Sequence, residues 1–209
     1  MFDASQLALF VSAAAVLVLI PGPNTLFLLA QGVAGGRSAA IASAFGIEVG
    51  TLVHTIATGL GLSLFLSHSA VGFKSLQYVG AAYLVFLGWR AFRRVTPTFV
   101  DSGAIESSPY GAFRQAVVTN VLNPKVAVFF LAFLPQFVHP ERGHVRVQFL
   151  ILGLIVASLG LACGLTVAFA ASSIGQWMRR NPRIATWQQR LSGTVLVGLG
   201  LHLVLMSRK

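Results

Sequence analysis

Two short segments place prolines inside apolar sequence: Pro21-Gly22-Pro23-Asn24-Thr25 and Asn120-Val121-Leu122-Asn123-Pro124-Lys125. Neither Pro21 nor Pro23 can donate to the carbonyls of Leu17 and Leu19, and Gly22 between them adds backbone freedom. Pro124 likewise frees the carbonyl of Asn120 and biases Asn123 out of the helical region. Asn123 as N-cap, with Pro124 at the first helical position, is a common way to begin a helix. Each segment therefore reads as the junction of two half-helices. The alternative is a kink that only aids packing.

Two ionisable residues fall near the breaks. Glu48 follows Arg37 by eleven residues and Lys125 follows Arg114 by eleven, roughly 16 Å at 1.5 Å per residue. That is close to the middle of a hydrocarbon core about 30 Å thick, where the two can meet as a charge pair. An ionisable side chain at that depth is costly and is by default a functional candidate. His54, six residues past Glu48, reads either as a proton relay or ligand or as a buried, hydrogen-bonded histidine. His139, Glu141 and His144 have a spacing that could hold a metal, but without further ligands they read as a solvated loop. No metal or cofactor is expected. A phosphate loop, a nucleophile elbow and a cysteine pair are all missing, so neither ATP hydrolysis nor covalent catalysis is indicated.

Composition says what must position these residues. Of 209 residues, 56% are hydrophobic and 10% charged, far from the roughly 25% charged of a soluble domain. The stretches between Asp3 and Arg37 and between Arg146 and Arg179 hold no Asp, Glu, Lys or Arg, and each exceeds the ~20 apolar residues that span a bilayer. Six apolar segments can be drawn: about Leu7–Gln31, Ser38–Leu66, Phe73–Trp89, Ala112–Val138, Val147–Ile174 and Gln188–Met206. Val95 to Gly111, rich in Ser, Pro, Thr and Gly, reads as a flexible loop. The N-terminus lacks the basic start and cleavage site of a signal peptide, so the first segment is expected to stay as a span. The expected fold is an all-α integral membrane protein of six transmembrane helices in one domain over residues 1–209, with proline-broken first and fourth spans.

With six spans the loops alternate sides. Nine arginines (37, 90, 93, 94, 114, 179, 180, 183 and 190) fall on one side and five bases (74, 142, 146, 208 and 209) on the other. The positive-inside rule places the nine in the cytoplasm and both termini outside. Trp89, Trp177 and Trp187 stand beside these arginines as interfacial anchors. The net charge of +10, which in a soluble chain would point to nucleic acid, is explained by topology; no nucleic-acid partner is expected. Cys163, the single cysteine, reads as a small packing residue.

The halves also resemble each other. Pro23 matches Pro124, Gly46 and Gly50 match Gly160 and Gly164, and Gly80 matches Gly193. Three spans per half is an odd number, so the second repeat (about 112–209) must lie inverted relative to the first (about 1–94), a signature of secondary transporters. The competing reading is small-xxx-small spacing of ordinary membrane packing. In the inverted arrangement the half-helices beginning at Pro23 and Pro124 both start at the midplane. Their N-termini, each carrying roughly half a positive charge, would form a pocket for a carboxylate. Lys125 and the amides of Asn24, Asn120 and Asn123 would assist. The freed carbonyls of Leu17, Leu19 and Asn120, with Glu48, would accept an ammonium.

Leu19-Ile20-Pro21-Gly22-Pro23-Asn24, the Gly35-Gly36-Arg37 turn and the Gly46 to Gly61 segment resemble the start of the LysE/RhtB family of amino-acid exporters. Asn120 to Lys125, continuing to Phe133-Leu134-Pro135-Gln136-Phe137, resembles its second signature. The resemblance covers nearly the whole chain. It implies proton-driven export of small amino acids or close derivatives from the bacterial cytoplasm, across the inner membrane, and a homo-oligomer is compatible with it. It implies an apolar or small residue where this chain has Glu48, so that residue's role is particular to this protein. Two other classes stay open: an ion or metal exporter using Glu48, His54 and the outer histidines, and a non-transporting membrane scaffold.

Overall fold

A computed structural model describes residues 2–20, 22–68, 70–93 and 108–180, and eight positions between 190 and 204. Among the described residues all regular structure is helical. Helix α1 (Ala4–Leu19) ends at the first break, and α2 (Pro23–Ala34) restarts with proline in its first turn and ends at Gly35. Gly36, with a φ of 77°, takes the left-handed turn that launches α3 (Gly36–His68). Helix α4 (Ala70–Arg93) occupies the place of the third expected segment. Helix α5 (Pro109–Val121) is capped by Ser108, whose hydroxyl accepts from the Gly111 amide at 3.1 Å. After the second break α6 (Pro124–Val128) runs on through a π-helical turn (Phe129–Phe133) and a 3-10 turn (Leu134–Phe137). Helix α7 (Val145–Arg180) completes the described order.

Gly36–Gly61 and Val145–Ala171 are each long and apolar enough to cross a membrane unaided. Two pairs, α1 with α2 and α5 with Pro124–Phe137, qualify as spans bent by 47° at their breaks, giving up to four candidate spans among the described residues. The sixth expected segment lies largely outside the described residues, as do Trp187 and nearly all of the Val95 to Gly111 loop.

Two packed clusters divide the molecule. Phe10 of α1 meets Phe137 (centroids 5.1 Å apart), and Phe129, Phe130, Phe133 and Phe149 close an aromatic core around α1, α6 and α7. The other cluster joins α2, α3, α5 and α7 through Phe27 and Leu28 and a set of alanines: Ala40, Ala44, Ala116, Ala168 and Ala171. Small residues suit a bilayer interior, where close backbone approach and dispersion hold helices together. A side chain on Gly46 would strike the Phe113 carbonyl, and one on Gly50 the Asn120 side chain, so α3 lies hard against α5. Beside that contact α3 turns outward an apolar stripe of Phe45, Val49, Val53, Ile56 and Leu60, which suits lipid.

The Arg142 guanidinium donates to both Asp3 carboxylate oxygens (3.1 and 2.8 Å), and the His139 ring links Glu141 (2.9 Å) to Gln6 (2.7 Å). The start of α1 and the loop before α7 therefore share one end of the molecule, which requires an even number of passes between them. Buried Gln148 pins the same loop, donating to the carbonyls of His139 and Gly143. At the other end Gln31 donates to Gln115 (3.0 Å), and the Arg37 guanidinium lies 4.1 Å over Phe169. Arg93 similarly covers Trp89 at 4.2 Å.

Candidate functional site

The two breaks meet. Asn123 Nδ2 donates to Asn24 Oδ1 (2.9 Å), and Asn24 Nδ2 donates to Asn120 Oδ1 (2.8 Å). Asn120 Nδ2 in turn donates to the Ile47 carbonyl (2.5 Å) and to Thr51 Oγ1 (3.0 Å). Three asparagines thus tie both broken spans to α3 in one polar chain, and each polar group has a partner. Buried amides left unpaired would be costly at this depth.

Two of the three carbonyls expected to be free, those of Leu17 and Asn120, are occupied by the protein itself, which corrects their expected role toward an ammonium. Lys125 Nζ crosses to the first break and donates to the carbonyls of Leu17 (2.8 Å) and Ile20 (2.9 Å). Leu17 is one of the two acceptors expected from the prolines; Ile20, not Leu19, is the other. The Asn120 carbonyl accepts from the Asn123 amide (3.0 Å) and from His54 Nε2 (3.3 Å). His54 also stacks on Phe130, with centroids 5.8 Å apart. His54 is thus a hydrogen-bonded histidine beside the second break.

The breaks are capped differently. Asn123 Oδ1 accepts from the Lys125 amide (3.0 Å) and so caps its own helix. Gly22, the N-cap of α2, has no side chain to offer the first amides of that helix. The positive end of α2 is therefore the one left for an outside anion.

A cavity of about 90 Å³ opens here. Gly22, Asn24, Thr25, Glu48, Asn120, Asn123 and Lys125 line it, while Pro23 and Pro124 are exposed, act as helix starters and do not line it. Pro21 lies outside the described residues. Glu48 and Lys125 share the cavity without pairing: no salt bridge within 4 Å joins them. The charge pair that their depth allows does not form, because Lys125 is drawn to α1, whereas the Glu48 carboxylate packs over Gly160 of α7. A side chain at Gly160 would collide with that carboxylate. Sequence reasoning passed over Thr51, Gly160, Cys163 and Phe130, which complete the wall. Thr51 was findable, one turn beyond Glu48 on the same face of α3.

Broken, membrane-length helices that meet at a cavity carrying one acid and one base define a class: the helical membrane transporter. Within that class the chain belongs to the LysE type translocator family, whose sequence model matches residues 15–207. It is 31% identical to an uncharacterized membrane protein of Vibrio cholerae, over 93% of this chain and 94% of that one. An uncharacterized membrane protein of Pseudomonas aeruginosa is 30% identical, over 93% and 92% of the two chains. A third, from Bacillus subtilis, is 28% identical over 94% and 97%. No solved structure matches the chain.

Proposed function

We propose that this protein is a secondary exporter of small amino acids or close derivatives, working by alternating access in exchange for protons across the bacterial inner membrane. One observation carries the reading: an acid, Glu48, and a base, Lys125, face a common small cavity without neutralising each other. An amino acid is the molecule that supplies the missing partner of each.

Its carboxylate binds the uncapped start of α2 and the remaining donor of Lys125, whose other two hydrogens are held by Leu17 and Ile20. Its ammonium binds Glu48. A carboxylate can hold a proton or an ammonium at one moment but not both, which is the logic of an antiporter. The small volume argues for small cargo, since drug-sized ligands fill pockets of about 300–1,000 Å³.

The even number of passes between Asp3 and Arg142, with Arg37 and Arg114 toward the opposite end, supports six spans in one domain, two inverted repeats and both termini outside. Among the described residues no three His, Cys, Asp or Glu side chains gather around a metal-sized site, so no observation favours the metal-exporter reading.

The test is counterflow of labelled amino acids in proteoliposomes of the full chain under an imposed pH gradient. Lys125→Met should lower exchange by more than about 30-fold while leaving membrane insertion intact. Undiminished exchange would remove Lys125 from the site, and a wild type that exchanges no amino acid would favour the scaffold.

A further inference from the structure

The site's charge balance narrows the cargo further. The chain has five acids: Asp3, Glu48, Asp101, Glu106 and Glu141. Asp3 and Glu141 are exposed at the end closed by Arg142, and Asp101 and Glu106 belong to the polar sequence between the third and fourth apolar segments. Among the described residues Glu48 is the one carboxylate at the breaks. On the opposite side of the balance stands Lys125. Arg37 and Arg114, on the same helices as Glu48 and the second break, are each eleven residues removed, roughly 16 Å along the axis. His54 is not part of the cavity lining and is held against Phe130 and the Asn120 carbonyl.

With Glu48 ionised, as it must be to take an ammonium, and Lys125 protonated, the two sum to zero. The rest of the wall is uncharged: Leu28, Ala44, Val156, Val167 and the Cys163 thiol surround the space left for a side chain. Resting on the exporter reading above, we infer that the cargo is a net-neutral zwitterion with a small uncharged side chain, and that dibasic and dicarboxylic amino acids are rejected. A second ammonium finds no second carboxylate, and a second carboxylate finds no second ammonium. An unmatched charge in a buried site bears its desolvation cost without an ionic partner. Glu48 is thereby a specificity-determining residue as well as a wall of the site.

The experiment is exchange of labelled L-alanine by the full chain in proteoliposomes, against unlabelled L-serine, L-lysine, L-glutamate and propionate. Serine should compete within about threefold of alanine, and lysine and glutamate at least about tenfold more weakly. Glu48→Gln leaves the site with a net positive balance, so propionate, a carboxylate without an ammonium, should overtake alanine as competitor. A binding readout covers the case of a variant that fails to fold. Cys163, the sole cysteine, lines the cavity, so its alkylation by N-ethylmaleimide in the wild type should be slowed by alanine and serine but not by equal lysine or glutamate. If lysine or glutamate matches alanine in exchange or in protection, the exporter reading stands and the charge rule is overturned. If no amino acid exchanges or protects, the exporter reading itself fails and the charge rule falls with it.

Discussion

At the second break the chain caps itself: Asn123 closes the new helix, and the Asn123 amide and His54 settle the loose Asn120 carbonyl. At the first, the N-cap is a glycine with no side chain, and the loose carbonyls are held by a lysine borrowed from the other span. One junction carries its own side-chain cap. The other stays open at its positive end and depends on a distant side chain. Proline breaks look equivalent in sequence, but only the one lacking its own cap can offer its helix terminus to a ligand.

Giving the first break a cap of its own should erase this asymmetry and produce the largest effect. Gly22 has extended backbone (φ −145°, ψ −163°) that any residue adopts, and a Cβ there would lie 3.6 Å from Lys125 Nζ, an ordinary contact. Gly22→Asp should place a tethered carboxylate on both the α2 terminus and Lys125, raising the KM for exchange by about tenfold or more. Gly22→Ala adds a Cβ without the charge and should stay within about threefold. Equal effects of the two would assign the loss to sterics and leave the anion site unsupported.

Removing the cap from the second break should have an intermediate effect. Asn123→Ala deletes the bond to the Lys125 amide and the link to Asn24, costing about 1–2 kcal/mol. In a detergent melt that is a fall of a few degrees in Tm. Asn123→Asp keeps an acceptor for the Lys125 amide but cannot donate to Asn24, so it should recover only part of the loss. An unchanged Tm for the alanine variant would show that the junction does not rely on its cap.

The exposed clasp at the far end should matter least. The Arg142 guanidinium bonded to Asp3 holds that carboxyl below its ordinary range. A group with a lowered folded pKa stabilises above its unfolded pKa and loses that contribution as pH falls through the folded value. The clasp should thus be intact at neutral pH and loosen below about pH 4. Asp3→Asn should change exchange at pH 7 by less than about twofold, since both partners are solvent-exposed. A larger loss would make the clasp part of the transport cycle.

Much of this was legible in the residues because local chemistry dictates it. Prolines lack an amide hydrogen wherever they sit, so Pro23 and Pro124 mark helix starts without tertiary information, and Asn123 before Pro124 is recognisable as a cap. Apolar length likewise announces the bilayer. The asparagine chain was half legible: Asn24, Asn120 and Asn123 stood out as polar residues at the breaks, but their bonds to one another did not, since those join positions 96 and 99 residues apart. Whether Glu48 pairs with Lys125 was illegible for the same reason. Depth along a helix can be counted from sequence, but azimuth around the bundle cannot.

The sequence by itself determined that the chain is a helical membrane protein, where its spans break and which two charges fall inside apolar spans, because each follows from hydrophobicity and backbone donors. Tertiary structure alone decided that Lys125 reaches 108 residues back to the Leu17 carbonyl, that Glu48 stands over Gly160, and that the two charges share a cavity unpaired. Those outcomes depend on which helix faces which. That is set by the close approach of small residues across several interfaces at once, a property no single segment carries.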